Sequence, residues 1–367
     1  MRSLADEAPA PGIVSPPGQA VFALILGILP GAGIATLVAI GALDPNLALL
    51  LFIPSYAILN LMHMAATWTR VYLAPGYANA RPFERWAIPI GLAGLSLVGE
   101  AMGGAIWLFA LQYYLSIHHG AMQNYGIVRA SQRARGRTLS AAALRLDQAA
   151  CLLPLMAALT YRVRAVSAIY DTAPMPHPPD ALVWALAAAA AVAVVALVLR
   201  ETLAVARKEA VDLLGVGVTL GVTGTWVGLI VLIEHPAIPF FAIASGHYVQ
   251  YLWIATRTER GRAGSLRALP DRIAAWVSPA QSSARYLLFL AAFGALGLGV
   301  VSVFALVART LAEQLELRPA NAFALAPWGA AMLAVNLHHY WLDHRVWRSA
   351  PASAVGRERP SLDARRN

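Results

Sequence analysis

The chain alternates long apolar runs with short connections rich in arginine or proline. Ten runs approach or exceed the roughly 20 residues that a helix needs to cross the hydrocarbon core of a bilayer. The predicted spans cover residues 20–43, 46–70, 86–101, 104–128, 146–163, 180–200, 211–233, 239–256, 285–309 and 321–345. The third and fourth share one apolar stretch, which we divide near residues 100–104. The pattern therefore predicts an all-α, polytopic integral membrane bundle of about ten transmembrane helices.

The composition supports this class. Of 367 residues, 59% are hydrophobic and only 13% are charged, whereas a soluble domain carries about 25% charged residues. These values exclude a disordered chain and an ordinary soluble enzyme. Residues 1–19 are predicted to be a flexible N-terminal segment, 20–345 a single transmembrane domain, and 346–367 a basic flexible tail. The single cysteine permits neither a disulfide framework nor a cysteine metal cluster.

The net charge of +9 reflects how the chain is oriented in the membrane. The basic residues lie between apolar spans and not on one soluble face, so we expect no nucleic-acid partner. If both termini are cytoplasmic, the outside loops hold only Arg162, Arg164, Arg309 and Arg318 of the 28 basic residues. This asymmetry follows the positive-inside rule. It predicts a multi-pass protein of a bacterial inner membrane, whose basic loops face anionic lipids or an acidic electron donor.

The histidines are placed unevenly. His177 and His235 fall in outside loops, while the others lie within even-numbered spans: His63 in the second, His118 and His119 in the fourth, His247 in the eighth, and His338, His339 and His344 in the tenth. Basic residues follow His63, His119, His247 and His339 by six to ten positions, or about 9–15 Å at 1.5 Å per residue. Four helices therefore carry imidazoles at one level of the inner leaflet.

Polar side chains accompany these histidines at helical spacing. Single faces carry Tyr56, Asn60, His63, Thr67 and Arg70 on the second span, and Gln112, Ser116, His119 and Gln123 on the fourth. His247 and Gln250 share a face of the eighth span, as do Asn336, His339 and Asp343 on the tenth. Because intramembrane polar groups face the bundle interior and one another, the stripes predict one buried polar site.

A histidine-dominated donor set suits iron, copper, zinc or nickel, and we favour one or two non-haem irons. The primary candidate metal ligands are His63, His119, His247 and His339, one from each span. His118 and His338 are candidate further ligands if two metals bind. Asp343 could be a ligand or the acceptor that orients an imidazole. Gln123, Gln250 and Asn336 are candidates to hydrogen-bond the ligands or the substrate, and Tyr340 and Arg70 are the candidate catalytic side chains.

These residues predict a metal-dependent membrane oxidoreductase or oxygenase that acts on a lipid, carotenoid or other hydrophobic substrate. Two alternatives stay open. One is a single-haem protein with opposed histidines such as His63 and His247 as axial ligands. The other is a non-enzymatic membrane protein: a transporter, an assembly factor or a subunit of a larger membrane complex.

Four segments carry a resemblance. They begin at His63 (HMAATWTRVY), His118 (HHGAMQNYG), His247 (HYVQY) and Asn336 (NLHHYWLD). They resemble the blocks of a family of bacterial polytopic membrane proteins that has no agreed activity, so the resemblance implies a shared site and no particular reaction. In layout alone the chain is similar to membrane fatty-acid desaturases and hydroxylases, although it lacks their HxxxH and HxxHH boxes. It is similar in layout to the bacterial carotene dioxygenases as well, without their proline-histidine-glycine motifs.

Overall fold

The computed structural model describes residues 17–73, 82–101, 105–167, 178–235, 237–260, 269–314 and 326–348. In these ranges the regular structure is helical: α1 (Pro17–Ala39), α2 (Pro45–Tyr72), α3 (Phe83–Ala87 continuing as Ile88–Ala101), α4 (Ala105–Ala134), α5 (Ala141–Ser167), α6 (Asp180–Ala206), α7 (Leu213–Val216, Gly217–Val222 and Thr223–Leu232 in succession), α8 (Ala237–Arg260), α9 (Asp271–Val277), α10 (Ser283–Gln314) and α11 (Ala326–Arg348). Apart from the short α9, these helices follow the order of the predicted spans.

Some predictions concern residues outside these ranges. The flexible N-terminal segment and the basic tail fall mostly on residues 1–16 and 349–367. The division between the third and fourth spans falls on residues 102–104, and His177 and the side chain of His344 are likewise outside the described set.

The described residues form a helical bundle of the membrane type. Five helices are long and apolar enough to cross a membrane, namely α2, α5, α6, α7 and α10. Their apolar side chains point outwards, as shown on α6 by Trp184 and Val192, each 69% exposed. Apolar surface on this scale belongs against lipid and not against water. The number of spans and the sides of the two termini stay predictions, since α4, α8 and α11 carry the polar stripes.

Helix ends follow from local sequence. Asp44 caps α2, where its carboxylate accepts from the backbone N–H groups of Asn46 and Leu47, and Pro45 occupies the first helical position. Gly136 follows α4 with a φ of 66°, a left-handed conformation that glycine adopts without a steric penalty. These signals fix where α2 begins and where α4 ends.

The histidine-bearing helices form the centre of the bundle. In this ring α2 packs on α8, α8 on α4, α4 on α11, and α11 on α2. The remaining long helices surround it: α1 lies on α8, α3 on α11, α10 on α2 and α11, α5 and α7 on α4, and α6 on α5. The ring is therefore shielded on most sides by other helices.

Small residues bring α1 and α8 into close contact. A Cβ added to Gly246 would lie 2.7 Å from the backbone oxygen of Gly27, and one added to Gly31 would lie 3.0 Å from that of Ala242. Trp226 of α7 donates its indole N–H to the Gly27 carbonyl at 3.2 Å. Since lipid supplies no hydrophobic drive between helices, such backbone contact is a main source of association energy.

Buried ion pairs join α4, α5 and α6 at the end that we predict to be cytoplasmic. Asp147, 1% exposed, accepts from Arg200 at 2.6 Å and from Gln132 at 2.7 Å. Glu201 accepts from Arg137 at 2.8 Å. Each buried carboxylate therefore has a cationic partner, which offsets the cost of removing its charge from water.

Substituting Gly246 tests the α1–α8 contact. Gly246→Val places a side chain against the α1 backbone, so we expect a loss of about 1–3 kcal/mol of unfolding free energy. Gly33→Val is the matched control, because a Cβ at Gly33 meets nothing within 4 Å. Thermal unfolding in detergent, followed by circular dichroism, measures both, and equal stabilities would contradict the contact.

Thiol labelling tests the predicted orientation. Lys208 and Glu234 are exposed and lie beyond opposite ends of α6 and α7, while the only native thiol, Cys151, is buried. When only the outer face of the membrane is accessible, a membrane-impermeant maleimide should label Glu234→Cys. It should label Lys208→Cys only after the membrane is permeabilised. The reverse pattern would invert the topology.

Candidate metal centre

Four imidazoles meet at the centre of the ring of helices. His63 comes from α2, His119 from α4, His247 from α8 and His339 from α11. Their ring centroids lie 4.5 Å (His63 to His339) to 5.9 Å (His63 to His119) apart. His63 and His339 are each 1% exposed, and His247 is 5% exposed. The predicted convergence of the four histidine-bearing spans is therefore present in the structure.

The nitrogen atoms of these rings lie at distances typical of a shared ligand. His63 Nε2 and His339 Nε2 are 2.7 Å apart and share one hydrogen bond. Donor atoms of His63, His119 and His247 lie within 4.8 Å of one another, as do those of His119, His339 and Asp343. The two groups overlap at His119, so together they form one compact donor set.

Most of the remaining ring nitrogens have no hydrogen-bond partner. Among the described residues, no group hydrogen-bonds Nδ1 of His63, Nε2 of His119, Nδ1 of His339 or either nitrogen of His247. A buried polar atom left in this state costs about 1–3 kcal/mol. Several such atoms lie together here, where an ion, another ligand or ordered water could be their partner.

Asp343 is held at the edge of the cluster. Its Oδ1 accepts from the hydroxyls of Tyr251 at 2.7 Å and Thr67 at 3.1 Å, and those two hydroxyls are 2.6 Å apart. Its Oδ2 lies 3.8 Å from His119 Nε2. The anchored Oδ1 leaves Oδ2 directed towards the histidines, where it is placed either to bind an ion or to accept from an imidazole.

The predicted amide residues have different positions. Gln123 donates to the backbone carbonyl of His247 at 3.1 Å and to the Gln250 side chain at 3.3 Å, so it joins α4 to α8. Gln250 packs against Gly27 of α1. Asn336 lines a cavity beside the histidines. Two of the three amides thus support the helices, and the third faces the open space.

Tyr340 lies beside the cluster as well. Its ring stacks on that of His119, with centroids 4.7 Å apart, and its hydroxyl is 2.6 Å from the Ser116 hydroxyl. It also lines the cavity. This candidate catalytic residue is therefore within reach of a molecule bound there.

The structure does not bring His118 or His338 to the cluster. His118 is exposed on the outer face of α4. His338 donates from Nε2 to the backbone carbonyl of Glu84 at 3.1 Å and so holds α11 to α3. Consecutive residues of a helix point about 100° apart, so only one member of each His-His pair can face the centre.

Arg70 also lies apart from the histidines. Its Nε donates to Glu259 Oε1 at 2.8 Å, and both side chains are buried. It is absent from the residues that line the cavity. This position suits a buried ion pair between α2 and α8 and not contact with a bound substrate.

Three supporting residues, Tyr251, Glu259 and Trp226, are not among the predicted site residues. Tyr251 follows His247 by four positions, a spacing that could have placed it on the histidine face. Glu259 and Trp226 gave no such signal, because their partners, Arg70 and Gly27, lie on other helices.

No protein-family model, curated protein or solved structure matches the chain. The geometry defines a helical bundle of the membrane type with a buried cluster of histidine and aspartate side chains that could hold a metal ion.

Removing Arg70 tests its structural role. Arg70→Met leaves Glu259 buried without its ion-pair partner, so we expect a loss of about 3–5 kcal/mol of stability. Arg70→Met combined with Glu259→Leu replaces the whole pair and should recover most of that loss. Thermal unfolding in detergent measures both. If the double variant is as unstable as Arg70→Met, the unpaired Glu259 charge is not the cause of the lost stability.

Proposed function

We propose that the protein is a membrane-embedded metalloprotein that binds one transition-metal ion between His63, His119, His247 and His339. The observation that carries this proposal is the meeting of four buried imidazoles from four helices with most of their nitrogens unpartnered. One ion would bind one nitrogen of each ring, whereas the hydrogen bond between helices engages only one nitrogen each of His63 and His339.

The dimensions support an ion. Histidine nitrogen binds such metals at about 2.0–2.1 Å, so two neighbouring ligands of an octahedral site, which keeps open positions beside four histidines, lie about 2.9 Å apart. His63 Nε2 and His339 Nε2 are 2.7 Å apart with a proton between them. Replacing that proton by an ion requires the two rings to separate by a few tenths of an ångström. Asp343 supplies negative charge beside four neutral ligands.

A single ion fits the donor set better than two ions or a haem. The two groups of donors share His119, so two ions would compete for one ligand. The His63 and His247 rings lie 4.9 Å apart, and the adjoining cavity has a volume of only about 30 Å³. A haem plane between those rings would require the central helices to move apart.

Iron is the metal we propose, in an oxidoreductase that acts on a hydrophobic substrate. Imidazoles with one carboxylate and open positions are the ligands of non-haem iron oxygenases. Iron bound there supplies one-electron and dioxygen chemistry. The residues of the chain exclude water and place the substrate: Trp226 and Tyr248 line the cavity, and the Tyr340 hydroxyl is available to hydrogen-bond a bound molecule. The electron donor would bind at the basic cytoplasmic side.

Metal analysis tests this proposal. Plasma mass spectrometry and absorption spectra of detergent-purified protein should give about one iron per chain and no haem band. His119→Ala combined with His339→Ala should reduce the iron below about a tenth, because two of four ligands are lost.

His118→Ala is the matched control, since it removes the neighbouring imidazole, which faces away from the cluster. It should retain the metal of the wild type. Folded wild-type protein without metal, or equal metal in all three proteins, would overturn the proposal. Circular dichroism and gel filtration confirm folding in each case.

A further inference from the structure

The cavity beside the histidines is built in layers along the central helices. One helical turn before His63, His119, His247 and His339 lie Asn60, Ser116, Ala244 and Asn336, and all of them line the cavity. Tyr56 and Phe240 lie seven residues before His63 and His247 and line it too. At about 1.5 Å per residue the cavity extends about 10 Å from the histidines towards the predicted outer half of the bundle.

The cavity is narrow. Its volume, counted for the centres of water-sized spheres, is about 30 Å³. This volume is far below the 300–1,000 Å³ of sites for drug-sized ligands. Spread over a length of about 10 Å, it leaves a width that admits at most one hydrocarbon chain. Rings packed on one another form its outer end: Tyr56 lies 5.0 Å from Phe241, and Tyr113 stacks on Phe240 at 5.4 Å. These contacts limit widening.

The lining is neutral apart from the histidines. Among the described residues around the cavity, none is an aspartate, glutamate, lysine or arginine. A phosphate or carboxylate head group inside it would therefore lose its hydration without an ionic partner. The portion of a molecule that enters must be uncharged.

Two amide side chains in the cavity wall nevertheless have no hydrogen-bond partner among the described residues. Asn60 and Asn336 are 6% and 8% exposed, and both line the cavity one turn from the histidines. No hydrogen bond joins either side chain to another described residue. Beside them lies the Ser116–Tyr340 hydroxyl pair. Buried amides of this kind are matched by ordered water or by a ligand with a neutral donor or acceptor.

We infer that the cavity binds an unbranched hydrocarbon chain with a neutral oxygen group, an alcohol or aldehyde, at the end nearest the histidines. Asn60 and Asn336 hydrogen-bond the oxygen, and the chain extends along the cavity towards the Tyr56 and Phe240 rings, which lie 5.9 Å apart and close its far end. This inference names the substrate class of the proposed function and rests on it for the reaction, while binding itself requires no metal.

Photo-crosslinking tests the inference in the full-length protein in detergent. The probe is a twelve-carbon primary alcohol with a diazirine at mid-chain, and mass spectrometry locates the adducts. We expect adducts at Tyr56, Phe240 or Ile243, in metal-depleted as well as metal-containing protein. Dodecan-1-ol should compete about tenfold better than dodecane, as one or two hydrogen bonds allow. Dodecanoate and cyclododecanol should compete poorly because of charge and width.

Variants separate the two halves of the claim. Asn60→Leu combined with Asn336→Leu should reduce the preference for dodecan-1-ol over dodecane to about onefold while keeping the adducts. Ala244→Phe fills the bore and should abolish the adducts without touching the histidines. Ala188→Phe, the same substitution on the exposed surface of α6, should have no effect.

Adducts confined to lipid-facing residues, or equal competition by cyclododecanol, would overturn the inference. So would an alcohol preference that survives in the asparagine variant. Loss of the proposed metal function would appear instead in the metal analysis, with the crosslinking pattern unchanged.

Discussion

An imidazole nitrogen without a partner is costly in an apolar interior, and this cost governs the arrangement of the central helices. His63, His119, His247 and His339 reach one another because each helix turns its polar stripe inwards. The single His63–His339 hydrogen bond satisfies only part of their capacity. The same constraint that assembles the ring therefore leaves a set of donors that a metal ion would complete.

The surrounding helices hold this ring together without much help from hydrophobic burial, because the lipid around them is itself apolar. Close backbone contact replaces it. Gly246 of α8 touches α1 at Gly27, and a Cβ added to Gly294 of α10 would lie 2.6 Å from the Leu61 carbonyl of α2. Small residues at these crossings set how near the outer helices lie, and hence how firmly the four imidazoles are positioned.

The two ends of the site differ in chemistry. On one side, hydroxyls anchor Asp343, and the Arg70–Glu259 ion pair lies farther along the same helices. On the other side, the aromatic rings of Tyr56 and Phe240 border a narrow, neutral cavity. This division suits the proposed function, in which a hydrophobic substrate enters from the membrane and the charged side chains lie at the opposite end of the site.

Helix periodicity and depth are local properties, so the sequence by itself determined the helical class, the order of the long helices, and the faces that carry His63, His119, His247 and His339. Through the polar stripes it favoured His119 over His118 and His339 over His338, but it did not show what turns the other two imidazoles away. His118 and His338 point away because the rotation of α4 and α11 is set by neighbours, such as the Glu84 carbonyl that His338 binds. Nor did it reveal the Asp343–Tyr251 and Arg70–Glu259 contacts. Their members are 92 and 189 residues apart, and only tertiary packing brings them together.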